Sequence, residues 1–257
     1  MKIGYPCINR SIGCSSGRTF RLSSYSGERL EETVRENLRC LGEILRFNRR
    51  ACLLFFRIGS GLVPFASHPV CTADWQEAFA EGFRGIGRFI REHDMRVSMH
   101  PPDQFVVINA KDPPDIVGRS VAELRYHAAL LDAMHLDETA KIQIHVGGVY
   151  GDPESAMERF CTEYSRLDGS ILRRLVVEND DSQYTLADCL RIHEETGIPV
   201  LFDVFHHTVN PPSAPGCRSG RTLRRDLAAP PRRRPDGRLQ YPPDARRTEG
   251  GAARGEP

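Results

Sequence analysis

Short apolar segments alternate with amphipathic segments through the first 210 residues of the chain. Six segments of five to ten residues are rich in apolar and β-branched side chains, and we predict strands at 2–6, 53–59, 96–101, 141–148, 174–180 and 198–207. Between them, apolar residues recur three and four positions apart, which predicts helices near 30–45, 75–90, 117–131, 153–164 and 186–195. Near-continuously apolar strands joined by such helices indicate a parallel sheet covered by helices.

Six β-then-α units predict an α/β fold, either a TIM-type barrel or a doubly wound sheet. The pattern stops after Asn210. In residues 211–257, Arg, Pro, Gly and Ala occupy 32 of the 47 positions. Such a segment buries too little apolar surface to offset its ordering entropy, so we predict a disordered tail. A closed barrel needs eight strands, so the sheet is either open or lacks the last quarter of a barrel.

Composition places the chain among ordinary globular proteins. Apolar residues make up 40% and charged residues 27%, and no apolar run approaches the ~18 residues of a membrane span. The first residues, MKIGYPCINR, lack the layout of a signal peptide, so we expect a cytoplasmic protein. None of the eight cysteines forms a Cys-x-x-Cys pair, which argues against a thiolate zinc site and favours free thiols.

Charge is distributed unevenly between the two parts of the sequence. Residues 1–210 carry 24 basic and 29 acidic side chains, a net charge of −5, whereas residues 211–257 carry 11 Arg and 5 acids, a net charge of +6. The folded part is therefore not a basic surface made for nucleic acid. If it binds phosphates, it needs a local basic patch or bound cations.

Polar side chains recur where the predicted strands end, the edge at which parallel α/β sheets place their ligands. These strand-end residues are Tyr5, Asn9, Arg57, His100, His145, Glu178, Asn179, Asp180, Asp203, His206 and His207. Imidazole and carboxylate without thiolate suit Mn²⁺, Zn²⁺, Fe²⁺ or Mg²⁺. Glu178 lies centrally in strand order, so we expect it to bridge two ions, which could together generate a hydroxide and clamp a scissile phosphate.

Several segments resemble, in order, those of the UV damage endonuclease family. They are GYPCIN, FRIG, PFASHP, SMHP with DQFVVIN, ELRYHAALL, HVGGVYG, VVENDD and FDVFHH, and they extend over essentially all of residues 1–210. The resemblance implies a TIM barrel, here incomplete at its C-terminus, with up to three divalent ions, commonly manganese and alternatively zinc, magnesium or cobalt. It also implies incision of damaged double-stranded DNA immediately 5′ to a lesion such as a UV photoproduct, by a monomer without a membrane anchor. Fold and metals resemble those of endonuclease IV, an abasic-site endonuclease.

The resemblance also assigns roles to individual residues. His100, His145, Glu178, Asp203 and His206 match the metal ligands, and Glu178, His100 and His145 are the expected catalytic set. Gln104 and Phe105 match a pair that probes the duplex opposite the damage; Tyr5 and Asn9 line the lesion pocket, and His68 is a further site residue. The segment HPPDQF carries one residue more than the family's usual HPDQF, which could shift the probing loop.

Two alternatives stay open at this point. One is a sugar isomerase-like barrel, which shares fold and ligand chemistry, although DQFVVIN favours a DNA-probing loop. The other is an inactive remnant, because the family's barrel continues with two more histidine ligands, a lysine and a bridging glutamate, whereas residues 211–257 contain no His and no Lys. On this view the chain, made alone, is unstable and essentially inactive.

The composition after Asn210 suggests how those donors were lost. Arg, Pro, Gly and Ala have GC-rich codons, and residues 1–210 use 21 Arg against 3 Lys. We hypothesise a frameshift that replaced the last two βα units. Sequencing the gene region checks this, because a shifted frame after codon 210 should encode strands ending in ligand-type histidines, and finding none would refute the hypothesis.

Overall fold

The computed structural model describes residues 1–111 and 114–212, together with the backbone of 232–233 and 239–240. Contacts divide the chain into two units, Met1–Pro212 and Ser213–Pro257. Within the second unit, β7 (Arg232–Arg233) pairs antiparallel with β8 (Leu239–Gln240). Apart from these strands and residues 211–212, the tail that we predict to be disordered lies outside the described residues. Cys217 also lies outside them.

The first unit contains six strands in one sheet. They are β1 (Gly4–Pro6), β2 (Phe55–Ile58), β3 (Arg96–Met99), β4 (Lys141–Ile144), β5 (Leu175–Glu178) and β6 (Val200–Leu201). Every consecutive pair is parallel, and the strand order follows the chain from β1 to β6. This is the succession of neighbouring parallel strands of a TIM-type barrel, so the predicted fold class is confirmed. Among the described residues, β1 and β6 have no partner on their outer sides.

Helices connect the strands and cover one face of the sheet. They are α1 (Gly27–Arg50), α2 (Trp75–Ala78), α3 (Ala80–Glu92), α4 (Pro114–Ala133), α5 (Pro153–Tyr164), α6 (Gly169–Leu172), α7 (Leu186–Thr196) and α8 (Val204–Val209), with 3₁₀ turns at Leu22–Ser24 and Ser60–Leu62. The predicted helix 75–90 is interrupted at Phe79, whose φ of −118° and ψ of 17° leave the helical region. None of the described helices is both long and apolar enough to cross a membrane.

The predicted sixth strand, 198–207, is wrong beyond its beginning. The structure ends β6 at Leu201 and forms α8 from Val204 onward. The side chain of Asp203 accepts a hydrogen bond from the backbone N–H of His206, which caps the helix and turns the chain out of the sheet. His206 therefore belongs to a helix, not to a strand.

Strand register gives the sheet one apolar and one polar face. Residues paired on parallel neighbours share a face, as do alternate residues of one strand. Arg57 pairs with Ser98, Ser98 with Lys141, and Gln143 with Val176. Gln143 is two residues after Lys141 and Glu178 two after Val176, so Arg57, Ser98, Gln143 and Glu178 lie on one face. The other face carries buried apolar side chains, which join the same core as α1, α3 and α4; they are Phe56, Ile58, Val97, Met99, Ile142, Ile144 and Val177.

The expectation of free thiols fails at one pair. Cys14 and Cys40 form a disulfide that ties the loop after β1 to α1. The pair is 26 residues apart, so no local motif announces it. Closing a loop of that length stabilises a fold by about 3.5 kcal/mol in the chain-entropy account. Cys7, Cys52, Cys71, Cys161 and Cys189 are free.

His127 lies fully buried in α4. Its Nδ1 donates to the carbonyl oxygen of Glu123 at 2.8 Å, and its Nε2 lies 3.0 Å from Ser60 Oγ. Ser60 Oγ is in turn 3.0 Å from the carbonyl oxygen of His100, so the pair supports the end of β3. Burial lowers the pKa of His127 from 6.5 to about 4, which keeps the ring neutral.

We predict that His127 makes the fold sensitive to acid. Between pH 6.5 and pH 4 the unfolded chain binds a proton at His127 that the folded chain excludes. The free energy of unfolding therefore decreases by up to roughly 3 kcal/mol as the pH is lowered through this window. Denaturant titrations of the wild type and of His127→Gln across this window measure the difference. The variant should lack this component of the slope, and parallel curves for the two proteins would contradict the prediction.

Candidate metal centre

Five potential ligands come from neighbouring strand ends. His100 directly follows β3, His145 directly follows β4 and Glu178 is the last residue of β5. Asp203 lies two residues after β6, and His206 is in the first turn of α8. Because alternate residues share a face, His100 and His145 continue the polar face that carries Ser98 and Gln143. The structure thus brings together the five side chains that the sequence suggested as ligands.

The five side chains form two groups of three that share Glu178. Donor atoms of His100, His145 and Glu178 lie within 4.8 Å of one another, as do those of Glu178, Asp203 and His206. His100 Nε2 is 3.6 Å from Glu178 Oε2, whereas His206 Nδ1 is 3.9 Å from Glu178 Oε1. Each carboxylate oxygen therefore faces a different group. The rings of His100 and His206 flank that of His145 at centroid distances of 5.2 and 5.3 Å.

Backbone carbonyls fix which ring nitrogen of each histidine is protonated. Nδ1 lies 2.8 Å from the carbonyl oxygen of Pro101 in His100, 3.3 Å from that of Glu178 in His145, and 2.8 Å from that of Asn179 in His206. A carbonyl only accepts, so Nδ1 donates and Nε2 keeps its lone pair for a ligand. Burial also lowers the pKa of His100, which favours the neutral ring that metals require.

His206 differs from the other two histidines in its geometry. Its Nδ1, which donates to Asn179, is the ring nitrogen nearest to both Glu178 and Asp203. In this conformation Nε2 is the atom left for a cation. The ring can bind a cation through Nδ1, beside Glu178 and Asp203, only if Nδ1 loses its hydrogen bond to the Asn179 carbonyl. Burial tends to raise the pKa of Asp203, but the backbone N–H of His206 and the His206 ring lower it overall, which keeps this carboxylate ionised.

Three further residues surround the cluster: Asn179 was among the strand-end residues of the sequence, whereas Asp103 and Gln143 were not. The Asn179 side chain joins β5 to β6, since its amide donates to the Asp203 carbonyl and accepts from the Asp203 N–H. Asp103 Oδ1 lies 3.9 Å from His145 Nε2. Gln143 contacts Glu178 from the middle of β4. Of Asp103 and Gln143, only Gln143 had a clear signal: Lys141, Gln143 and His145 alternate with apolar residues.

The proposed DNA-probing pair lies on the loop after β3. Gln104 and Phe105 are exposed, and 57% of the Phe105 surface is accessible. The Phe105 N–H bonds to the Pro102 carbonyl at 2.8 Å, which folds the loop into a turn. Through Asp103 this loop approaches the ring of His145, so the loop that carries the exposed Phe105 reaches one of the candidate ligands.

The three remaining predicted site residues lie apart from the five ligands in the described contacts. Tyr5 pairs with Phe56, which places it on the face opposite to the ligands, and its hydroxyl donates to Asn48 on α1 at 2.6 Å. The Asn9 amide donates to the Tyr5 hydroxyl. His68 is exposed and accepts from the Val70 N–H at 3.0 Å. The structure does not bring these three side chains to the ligand cluster.

Arg57 supplies positive charge beside the cluster. It lies on the polar face next to Ser98, its Nε is buried without a hydrogen-bond partner, and no acid of the described residues lies within ion-pairing distance. Burial chiefly lowers the pKa of His100, and the Arg57 charge adds to this effect. Burial raises the pKa of the Cys7 thiol against the opposing influence of Arg57. Arg57 pairs with Pro6 of β1 and with Ser98 of β3, so it lies between these two strands.

Comparison with known proteins gives one consistent result. The family model described as UV-endonuclease UvdE matches residues 1–226. A UV DNA damage endonuclease of Clostridium perfringens is 37% identical over 207 residues, 80% of this chain and 50% of that protein. One of Bacillus cereus strain Q1 is 35% identical over 218 residues, 82% of this chain and 68% of that protein. The crystal structure of SacUVDE is 43% identical with a TM-score of 0.79, over 83% of this chain and 73% of that one.

The chain thus spans half the length of the Clostridium relative and about two thirds of the Bacillus one. The matched part contains all six parallel strands and the whole ligand cluster. A family model that matches nearly nine tenths of a sequence, together with a structural match at 43% identity, leaves no ambiguity about ancestry. The chain belongs to the UV-endonuclease UvdE family.

Proposed function

We propose that this protein is a metal-dependent DNA repair endonuclease of the type that incises the DNA backbone 5′ to UV photoproducts and other lesions, with an activity that is weakened in this chain. The observation that carries the proposal is the buried carboxylate of Glu178, which two groups of three donors share at the C-terminal ends of the strands. Membership of the UV-endonuclease family supplies the substrate class. We expect a monomer that acts on damaged double-stranded DNA in the cytoplasm.

His100, His145 and Glu178 form the group best prepared to hold a cation, because both imidazoles keep Nε2 free. Asp203 shares Glu178 on the other side, and His206 can add a ligand there or bind a further ion through Nε2. Bound divalent ions would supply a hydroxide near neutral pH and neutralise charge on the scissile phosphate. The mixture of imidazole and carboxylate suits manganese, with zinc and cobalt as alternatives and magnesium as a poorer one.

Lesion recognition would rest on the loop that carries Gln104 and Phe105. An exposed ring that enters the duplex replaces stacking lost when a nucleotide leaves the helix. A damaged step is already poorly stacked, so opening it costs less, which selects lesions without reading sequence. Tyr5, Asn9 and His68 remain proposed lesion-pocket residues. Their observed contacts mean that Tyr5 and Asn9 would have to act from a preformed hydrogen-bonded pair.

Arg57 is the natural contact for a phosphate of the bound strand. A guanidinium without a carboxylate partner, half-buried on the polar face, gains most from an anion that comes from outside. Its neighbourhood joins the His100 side of the cluster to the loop after β1. The first unit has a predicted net charge near −5, so this cation and the bound metals would together provide the local attraction that DNA requires.

Metal stoichiometry tests the proposed centre. We predict that the wild-type chain binds two Mn²⁺ ions in an equilibrium titration, because two donor groups share Glu178. Glu178→Gln keeps the volume but removes the shared charge, so it should weaken binding by more than the roughly 10- to 100-fold that the loss of an outer-shell partner costs. Glu123→Gln, a buried glutamate hydrogen-bonded to Ser67 and outside the cluster, is the matched control. Zero or one ion in the wild type would support the inactive remnant.

Binding of UV-irradiated duplex tests the function itself. We predict preferential binding over undamaged duplex, measured by fluorescence anisotropy. Phe105→Ala should reduce this preference roughly 5- to 150-fold, because stacking of one base on an aromatic ring contributes about 1–3 kcal/mol. Leu190→Ala, an exposed residue on α7, should leave it unchanged.

The same samples, run on a denaturing gel with Mn²⁺, measure incision. We expect little nicking, because the family's two further histidines, lysine and bridging glutamate have no counterpart in residues 211–257. A wild-type chain that binds both duplexes equally would contradict the proposed function. Rapid nicking 5′ to the lesion would contradict only the expected weak activity, and would also exclude the sugar isomerase alternative.

A further inference from the structure

Gln143 contacts the shared carboxylate from below the ligand cluster. Its Nε2 lies 3.0 Å from Glu178 Oε2, and its Oε1 lies 2.9 Å from Ser98 Oγ. The three side chains are almost completely buried, with exposures of 1% for Gln143, 2% for Glu178 and 5% for Ser98. Each comes from a different strand, and the register places all three on the polar face. They form a buried hydrogen-bonded row across β3, β4 and β5.

The direction of this row follows from its chemistry. An ionised carboxylate only accepts, so the amide must present its N–H₂ to Glu178. The amide oxygen then faces Ser98, whose hydroxyl donates to it. Turning the amide over would set its oxygen against the carboxylate oxygen and leave two buried groups unsatisfied, at a substantial free-energy cost. Ser98 therefore braces Gln143 in the orientation that Glu178 requires.

The row acts on one oxygen of the carboxylate only. Gln143 occupies a lone pair of Oε2, the oxygen that faces His100, and Oε1 faces His206 and carries no side-chain bond from Gln143. A carboxylate pinned at one oxygen cannot rotate freely to place both oxygens on a single ion. Its plane is held with one oxygen turned toward each donor group.

We propose that Gln143, braced by Ser98, is a positioning residue that holds Glu178 as a bridge, so that the two donor groups bind a coupled pair of ions. This inference rests on the proposed metal centre and assigns it a determinant that comes from the middle of β4. Gln143 does not itself touch an ion or the substrate in this account. Its effect is transmitted through the orientation of one carboxylate.

The experiment combines a Mn²⁺ titration with electron paramagnetic resonance of the loaded protein. Two Mn²⁺ ions bridged by a carboxylate give an exchange-coupled spectrum that isolated ions do not give. Gln143→Met keeps the length and volume of the side chain but removes the donor. We expect it to lose the coupled spectrum and to bind the second ion about 10- to 100-fold more weakly, while the first ion is affected less.

Two further variants separate positioning from general loss of structure. Ser98→Ala removes only the hydroxyl that braces Gln143, so it should weaken the coupled spectrum and the binding of the second ion by a smaller factor. This variant also tests the proposal if Gln143→Met fails to fold. Ser120→Ala removes the hydroxyl of another buried serine, which bonds to Ile116 and Val107 and not to the row, and should retain the coupled spectrum. A merely structural role would lower the thermal stability and both affinities together and leave any bound pair coupled.

The outcomes decide between the two proposals. Gln143→Met and Ser98→Ala variants with wild-type second-ion affinity and coupling overturn the positioning role while the metal centre stands. A wild-type chain that binds fewer than two ions overturns the proposed metal centre, and the role of Gln143 falls with it.

Discussion

The structure depends most on the burial of one carboxylate. Glu178 is 2% exposed, and within the described residues its ion-pair partners are the imidazoles of His100 and His206, with no Lys or Arg. Ionised groups in a low-dielectric interior are costly unless they are paired and hydrogen-bonded. Gln143 donates one hydrogen bond to Oε2 of Glu178, and divalent cations would compensate the negative charge of the carboxylate. A site for divalent cations needs further ligands and access from solvent. Neutral imidazoles and the Asp203 carboxylate provide the ligands, and the position at the strand ends provides the access.

Parallel strand register explains why the supporting groups share one face. A residue on one strand sets the face of its partner on the next, so Arg57, Ser98, Gln143 and Glu178, which come from four successive strands, all lie on the same face. The apolar residues between them point to the helices and form the core. One alternation pattern thus stabilises the fold on one side and builds a polar, charge-demanding site on the other. Stability and function are divided between alternate positions of the same short strands.

The larger elements and the ligand cluster could be predicted from sequence because they follow local periodicity. Six apolar segments correspond to six strands. The strand-end rule selected eleven polar side chains, and the family resemblance singled out His100, His145, Glu178, Asp203 and His206 among them. The failures arose where one tertiary interaction outweighed local preference. Val and Phe around His206 favour a strand, yet the Asp203 cap makes a helix. The Cys14–Cys40 disulfide and the approach of Asp103 to His145 depend on how loops fold back, which no spacing encodes.

We propose that two cations share Glu178, and diffraction from crystals grown with Mn²⁺ tests this most directly. Anomalous scattering locates manganese without reference to activity or to the rest of the chain. We predict two peaks roughly 3.5–4 Å apart, one on the His100–His145 side of Glu178 and one on the Asp203 side. Absence of manganese beside Glu178, or a single ion held by ligands that do not include this carboxylate, would contradict it.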